Sequence, residues 1–352
     1  MTTLTTGGLL VSVHTDRPRW RDQLLDGAGG SEQWREDAGN TGITSTRPDV
    51  ILVLDGSPAR FDTTGLRPVT RGVWSDPCGA VVLDDVGSSG FAQLWQVRDG
   101  QLRVHSRWTP SRAERAAAKL LPERFRALRT QVLLHYPVLW AALLRGMAPL
   151  HVSLVEVAGR GVLLAGPGGV GKSTLVTQEL RAGGRAACDN LAVSDGGTVH
   201  GLREPLRLHR EDVARLGLLP AGTKGATRAM HGRRETPWNN QADALAPALV
   251  AVVRRGSAAG PYVRPATPAA VARALVAGTY AAGELSRFWP LAAQLALATG
   301  HGPAHPPVEA VATALADRLP CRSLELGIRP GSTLRSLLVD DLNPTPTTEV
   351  AS

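Results

Sequence analysis

The chain has 352 residues, which is enough for two domains and a sizeable hydrophobic core. It carries 39 Lys and Arg against 31 Asp and Glu, a formal net charge of +8, yet its basic residues are not interleaved with aromatic ones. We therefore expect no nucleic-acid partner, and because no apolar run is long enough to span a bilayer we expect no membrane association. The N-terminus lacks the pattern of a signal peptide and the three cysteines are widely spaced, so a cytoplasmic protein with reduced thiols is expected.

Residues 48–108 are predicted to be rich in β-structure. Four apolar or alternating runs are separated by Gly, Pro and Asp, and 97–100 is typical of a hairpin turn; the runs are 49–54, 79–83, 92–97 and 101–105. Residues 111–147 are predicted to be helical, with one helix from Phe125 to Tyr136 that ends at Pro137 and a second from Val138 to Met147. Residues 1–147 are thus predicted to form a small α+β domain, in which no residue identifies a chemistry.

Residues 148–340 are predicted to be a second domain. His151 to Val157 alternates like a strand, and Leu191 to His200 is typical of a hairpin whose turn is 194–197. Residues 222–240 are predicted to be a mobile loop, and 249–254 and 324–326 to be strands. Residues 267–318 are predicted to be helical with breaks near Pro290 and across 300–307, and 341–352 to be a flexible tail.

The most informative motif in the chain is Gly166-x-x-x-x-Gly171-Lys172-Ser173, the P-loop pattern. The apolar run 161–165 before it is typical of a buried strand, and 174–181 has the apolar spacing of a helix. Glycines let the backbone N–H groups point at an anion at the start of that helix, Lys172 would reach the β- and γ-phosphates, and the Ser173 hydroxyl would bind Mg²⁺. The residues predicted to bind the nucleotide are Gly166, Pro167, Gly168, Gly169, Val170, Gly171, Lys172, Ser173 and Thr174.

His151, the P-loop fifteen residues later, and Asp189 seventeen residues after Lys172 resemble the catalytic domain of HPr kinase/phosphorylase. The resemblance covers about residues 148–210. It implies an α/β fold in which a P-loop-containing, HPr-kinase-like catalytic domain follows the small N-terminal domain. Relatives of that family include kinases of peptide natural-product pathways, whose acceptor is a hydroxyl of a precursor peptide.

The resemblance also implies roles for individual residues. In the family, a His before the P-loop lies near the transferred phosphate, and two aspartates after the P-loop helix supply the catalytic carboxylate and a metal contact. His151, Lys172 and Asp189 are then expected to be catalytic, and Ser173, Asp189 and Asn190 to hold Mg²⁺. Asn190 stands where the family has its second Asp, and because an amide cannot act as a base, the acid–base role is expected on Asp189 and no reverse phosphorylase reaction is expected. The alternatives are a packing role for His151 and a turn role for Asp189 and Asn190.

The predicted function is ATP- and Mg²⁺-dependent phosphoryl transfer to a Ser or Thr hydroxyl of a peptide or protein, with Asp189 as base or metal ligand. A kinase of a small hydroxylated molecule and a nucleotide-dependent binding or switch protein without transfer are the alternatives. Five charged residues are expected to contact the substrate, with ordinary surface ion pairs as the alternative: Arg203, Glu204, Arg207, Lys224 and Arg254. The sequence leaves the acceptor, the donor nucleotide and a homo-oligomeric state open.

Overall fold

The computed structural model describes residues 2–29, 35–36, 47–209, 211, 227–228, 233–236, 241–327 and 333–342. Within these residues the chain is a mixed α/β protein with four β-sheets. None of the helices in the described ranges combines the length and the apolar character that crossing a membrane requires.

A nine-stranded sheet forms the N-terminal part. Its strands in chain order are β1 (Thr2–Thr6), β2 (Leu9–Thr15), β3 (Arg35–Glu36), β4 (Val50–Asp55), β5 (Arg67–Thr70), β6 (Val73–Ser75), β7 (Val81–Leu83), β8 (Phe91–Arg98) and β9 (Gln101–Trp108). Their spatial order is β3-β1-β2-β4-β9-β8-β7-β6-β5, with β4 parallel to both of its neighbours. The strands predicted within 48–108 are present. The predicted hairpin turn is also present, because Asp99 and Gly100 adopt φ values of 50° and 71° between β8 and β9.

Four helices accompany this sheet, and the last two belong to one run that continues through a proline. They are α1 (Pro18–Gly27), α2 (Arg112–Leu120), α3 (Pro122–Thr130) and α4 (Tyr136–Leu143), with a π-helical turn at Gln131–His135 between the last two. The prediction that a helix ends at Pro137 was wrong. In the π-helical turn the Tyr136 N–H bonds to the Gln131 carbonyl five residues back, and this wider backbone accommodates the proline that follows.

The strands after residue 147 form three smaller sheets. They are β10 (Ala148–His151), β11 (Ser153–Val157), β12 (Arg160–Ala165), β13 (Ala186–Cys188), β14 (Leu191–Ser194), β15 (Val199–Gly201), β16 (Leu206–His209), β17 (Thr227–Arg228), β18 (Arg233–Thr236), β19 (Ala244–Leu245), β20 (Pro247–Arg255), β21 (Tyr262–Pro265) and β22 (Cys321–Leu326). The spatial orders are β13-β11-β12-β20-β22-β21, β10-β14-β15-β19 and β16-β18-β17. In the six-stranded sheet β12, β20 and β22 are parallel and largely buried, as the apolar runs predict.

The remaining helices are α5 (Lys172–Arg181), α6 (Pro268–Tyr280), α7 (Phe288–Thr299), α8 (Val308–Arg318), α9 (Leu334–Leu337) and α10 (Val339–Leu342). The predicted break near Pro290 is present at 281–287, just before α7 begins. Pro290 itself is the third residue of α7, where the N–H has no intrahelical partner to lose.

Two segments predicted to be flexible are partly ordered. The predicted loop 222–240 contains β17 and β18, which pair in a sheet with β16, while Lys224 lies outside the described residues. Residues 341 and 342 of the predicted tail are ordered, because Leu342 is buried and Asp341 pairs with Arg322. Residues 343–352 lie outside the described part of the chain.

The N-terminal sheet shares its hydrophobic core with residues that follow position 148. Helix α7 packs on β5, β6 and β7, and Leu191, Val193 and Leu202 belong to the same apolar cluster as the N-terminal sheet. The division into domains 1–147 and 148–340 stays a prediction.

Candidate functional site

The glycine-rich loop, residues 166–171, connects β12 to α5 in the predicted order of strand, loop and helix. Gly166, Gly169 and Gly171 have φ values of 140°, 78° and 115°, which side-chain-bearing residues rarely adopt. A Cβ on Gly166 would lie 2.6 Å from the Val253 oxygen, whereas a Cβ on Gly168 would meet nothing within 4 Å. The N-terminus of α5 has no side-chain cap, so the loop presents an open surface at a helix N-terminus.

Lys172, the first residue of α5, is folded back onto this loop. Its Nζ donates hydrogen bonds to the Gly166 oxygen at 2.8 Å and the Pro167 oxygen at 3.1 Å. Burial lowers the pKa of Lys172, and the nearby carboxylates of Asp189 and Glu284 oppose this effect. The ammonium group is therefore held at the loop, with a desolvated charge.

Next to the glycine-rich loop, two neighbouring segments of the chain pass together from one β-sheet to another. Strand β10 pairs with β14 in one sheet, and β11 pairs with β13 in another. The first run crosses between the sheets at Val152, and the second crosses at Asp189 and Asn190; the Val152 N–H bonds to the Asn190 oxygen at 3.1 Å. The predicted single strand 151–157 is thus two strands. The crossing brings His151 and Ser153 against Asp189 and Asn190.

Asp189 is buried at this crossing, with its carboxyl group next to the start of α5. Ser153 Oγ donates to the Asp189 backbone oxygen at 2.7 Å and lies 3.2 Å from its Oδ1. Burial raises the pKa of Asp189 to about 6, while the hydrogen bond from Ser173 and the charge of Lys172 oppose the rise. The structure therefore brings together Lys172, Ser173 and Asp189, as the sequence predicts.

His151 also lies at the crossing. Its backbone N–H donates to Thr279 Oγ1 at 3.1 Å, and its ring Nδ1 is buried without a hydrogen-bond partner among the described residues. Burial lowers the pKa of His151 to about 4, and the Lys172 charge acts in the same direction, so the imidazole is neutral at pH 7.

A cleft of about 500 Å³ opens between the glycine-rich loop and α6. His151 and Asn190 line it on one side, and Arg254 lies exposed in its wall, where it was predicted to contact substrate. Its other charged residues are Arg233, whose Nε is buried without a partner in the described chain, and Glu284. The cleft thus combines the first half of the glycine-rich loop with basic side chains, an arrangement that suits an anionic ligand.

A network of charged residues continues from the cleft to a second cavity of about 250 Å³. Arg207 lies within 3.5 Å of carboxylate oxygens of Glu204, Glu235 and Glu284. Burial raises the pKa of Glu204 to about 7, and its carboxyl group accepts the Leu191 N–H at 3.0 Å.

Glu204 also accepts a hydrogen bond from Asn190 Nδ2 at 3.3 Å, so it holds the metal ligand predicted at that position. The second cavity shares Arg233, Gly283 and Glu284 with the cleft. Arg207 and Glu204 therefore border the site, and Glu204 positions a site residue.

Arg203 has a different place from the one predicted. Its guanidinium donates to the Thr5 and Gln241 oxygens, at 3.3 and 3.0 Å, and pairs with Asp243. Its backbone N–H bonds to Thr6 Oγ1 at 2.8 Å. Arg203 does not line the cleft, so the substrate-contact prediction was wrong for this residue. It joins the end of β1 to the segment before β19.

Two residues of the site were not predicted. Ser153 sits in an apolar strand, and its only sequence signal is a hydroxyl where a buried strand would have an aliphatic residue. Glu284 follows Asp189 by almost a hundred residues in an alanine-rich segment, so nothing local indicates that it faces the cleft.

Comparisons with known proteins do not assign a family to this chain. No family model matches it, and no curated protein matches it. Among solved structures, the HPr(Ser) kinase/phosphatase from Coxiella burnetii aligns with 55% of this chain and 87% of its own, at 12% identity and a TM-score of 0.24. This likeness is too loose to carry an argument about function, which has to come from the chemistry of the site.

Proposed function

We propose that this protein is an ATP- and Mg²⁺-dependent phosphotransferase that acts on a hydroxyl group. The observation that carries the proposal is the place of Asp189. Its buried carboxyl group lies close enough to Ser173 and Lys172 for both to lower its pKa, at the start of the helix that follows the glycine-rich loop. An anion cradle, a lysine, a hydroxyl and a carboxylate in one place are the parts that phosphoryl transfer needs.

The residues at the glycine-rich loop fit a nucleotide that binds as its Mg²⁺ complex. The open face at Gly168 and the uncapped N-terminus of α5 suit phosphate oxygens, and Lys172 would exchange its bonds to loop carbonyls for bonds to phosphate. Ser173 and Asp189 offer one hydroxyl and one carboxylate, and no group of three His, Cys, Asp or Glu in the described chain forms a separate metal site. Mg²⁺ prefers one or two such ligands together with phosphate oxygens and water, and it would neutralise charge between the β- and γ-phosphates.

The proton of the acceptor has one candidate destination in this site, the carboxylate of Asp189. In the proposed reaction the acceptor oxygen bonds to the γ-phosphorus, the bond to the β–γ bridging oxygen breaks, and the acceptor proton passes to a base. Asp189, with its pKa near 6, is ionised at pH 7 and is suited either to this role or to holding the metal. Neutral His151 lines the cleft and offers a hydrogen bond to the transferring group.

The acceptor is proposed to be a Ser or Thr hydroxyl of a peptide or protein. The second cavity supports an entry route, because it adjoins the cleft at Arg233, Gly283 and Glu284. A small hydroxylated molecule would use the same entrance.

Incubation with ATP radiolabelled at the γ-phosphate, MgCl₂ and the peptides and proteins of neighbouring genes tests the proposal. Wild type and Lys119→Met, an exposed lysine on α2, should transfer one phosphoryl group, seen by mass spectrometry of the acceptor. Lys172→Met and Asp189→Asn should lose transfer by about 10²–10³-fold, because each removes a charge placed for the transition state. Label on a small molecule alone would identify the small-molecule kinase. Nucleotide-dependent partner binding without any transfer would overturn the proposal in favour of a switch.

A further inference from the structure

A cavity of about 540 Å³ lies in the N-terminal part of the protein, between α1, α3 and the sheet strands β8 and β9. It shares no lining residue with the cleft or the second cavity. Four aromatic side chains form its walls. Phe91 and Phe125 are stacked with centroids 6.3 Å apart, Trp20 meets Phe91 edge-on at 5.6 Å, and Trp108 lies 5.4 Å from Phe125.

A buried cation, Arg129, also lines this cavity. Its residue surface is only 6% exposed, and its Nε has no hydrogen-bond partner in the described chain. One of its terminal nitrogens donates to Gln23, a neutral amide, and no carboxylate of the described residues lies within ion-pair distance of it. The guanidinium carbon is 5.9 Å from the Phe125 ring centroid.

The burial of the Arg129 charge in this way lowers the stability of the fold unless a ligand supplies a counter-ion. A buried charge needs a counter-ion and filled hydrogen bonds, and Arg129 has one neutral partner and a buried Nε without a partner among the described residues. Arg126 and Arg19 on the same wall add positive charge, against Asp26 and Glu123. Arg126 is itself paired with Glu235, whereas Arg129 is in no ion pair of the described residues and Asp26 acts on its charge only from beyond ion-pair distance.

We propose that this cavity binds a small molecule that carries a carboxylate or a phosphate on a flat apolar body. The anionic group would pair with the Arg129 guanidinium, whose planar donors match both oxyanions. The body would lie among the four aromatic rings, which favour a flat apolar partner. The cavity volume is in the range of small-ligand sites and too small for a folded partner.

Titration of the full-length protein with two anions and their neutral counterparts tests this site. The probes are indole-3-acetate against indole-3-acetamide, and phenyl phosphate against phenol. At least one anion should bind saturably and about tenfold or more tightly than its neutral counterpart, a difference expected for a charge-assisted contact. The better anion assigns the ligand to the carboxylate or the phosphate class.

Two variants on α3 distinguish an effect at the cavity from a general effect on the helix. Arg129→Met should weaken binding of that anion at least tenfold, whereas Arg124→Met, whose residue lies outside this cavity, should leave it unchanged. Neither anion binding better than its neutral counterpart at about 10 mM, where a millimolar Kd would be visible, would overturn the proposal.

Thermal unfolding without any probe gives a second, independent test. If Arg129 serves to bind a ligand, it does not stabilise the ligand-free protein. Arg129→Met should then unfold at the same or a higher temperature than wild type, because the substitution removes a buried cation that lacks a counter-ion. A clear fall in the midpoint for Arg129→Met, with no fall for Arg124→Met, would make Arg129 a structural support and overturn the proposal.

Discussion

Ser153 Oγ donates to the backbone oxygen of Asp189 at 2.7 Å and lies 3.2 Å from a carboxylate oxygen of the same residue. One hydroxyl on β11 therefore fixes both the backbone and the side chain of the residue proposed as base or metal ligand. Ser153 is also fully buried, so bulk water does not compete for these contacts.

Ser153→Ala should lower kcat about 10- to 100-fold with little change in the KM for ATP, because a hydrogen bond to a charged group contributes about 1.5–3 kcal/mol. It should also raise the pKa of Asp189 further, which moves the acid limb of the rate profile to higher pH. Ser194→Ala is the matched control, since Ser194 is equally buried and bonds to the Thr198 oxygen in the β14–β15 hairpin. Equal losses in both variants would reduce Ser153 to a packing residue.

The rate of transfer should depend on pH through Asp189. Its pKa of about 6 in the folded protein is above the ordinary value of an aspartate, so the carboxyl group is mostly protonated at pH 5 and mostly ionised at pH 7. Because the proposed role needs the ionised form, log kcat/KM should rise with pH up to about 6 and then level off. The measurement is kcat/KM at fixed free Mg²⁺ from pH 5 to 8. A profile for Asp189→Asn with the same limb would assign the titration to another group.

The glycine-rich loop should tolerate a side chain at one glycine and not at another. Gly166→Ala places a Cβ 2.6 Å from the Val253 oxygen at a φ of 140°, so it should displace the loop and abolish nucleotide binding. Gly168→Ala meets nothing within 4 Å, so the protein should keep its thermal midpoint. Calorimetric titration with an ATP analogue and Mg²⁺, together with thermal unfolding, distinguishes the two. Normal nucleotide binding by Gly166→Ala would contradict the role of this loop.

Substitution of Arg203 should lower the stability of the protein, whereas substitution of Arg254 should lower its activity. Arg203→Met should lower the free energy of unfolding by about 2–4 kcal/mol, because the oxygens of Thr5 and Gln241 lose their donors and Asp243 loses its partner. Arg254→Met removes an exposed side chain of the cleft and should lower transfer without changing stability. Denaturant titration and the transfer assay on both variants test this. The reverse pattern would restore Arg203 to the site.

The buried His135 should make the protein less stable in mild acid. Burial lowers its pKa to about 4 in the folded state, against an unfolded value near 6.5, and its Nδ1 has no partner among the described residues. Between these values the unfolded chain binds a proton that the folded chain does not, so stability contributed by neutral His135 is lost as pH falls. Relative to wild type, His135→Gln should therefore gain stability between pH 7 and 5. A stability difference that stays constant over this range would show that His135 does not titrate there.

Much of the local structure could be predicted because its signals are local. The glycine loop, the helix after it and the hairpin turn at 97–100 depend on glycines and apolar spacing within a few residues. The helix through Pro137 could not be predicted, because the π-helical turn that admits the proline has no marker in sequence. The strand break at Val152 also has no marker in the sequence, since neither Gly nor Pro is next to it.

The candidate site was predictable where the glycine motif, or the resemblance of its spacing to a known family, indicates the residues. Lys172 and Ser173 follow from the glycine pattern, but Ser153 and Glu284 reach the site through pairings between distant segments. Arg203 illustrates the opposite error. A cation beside Glu204 has the same appearance in sequence whether it meets a ligand or, as here, backbone oxygens of another segment.

The runs 148–157 and 186–194 are antiparallel neighbours that pass between the two sheets at the same level, and this limits how the length of the chain can vary. A residue inserted into one run would turn the following side chains to the opposite face and separate Ser153 from Asp189, unless the other run gained a residue at the same level. Insertions and deletions among homologous sequences are therefore expected in the connecting turns at 158–159 and 195–198. Within the two runs, a change of length should occur only as a matched pair.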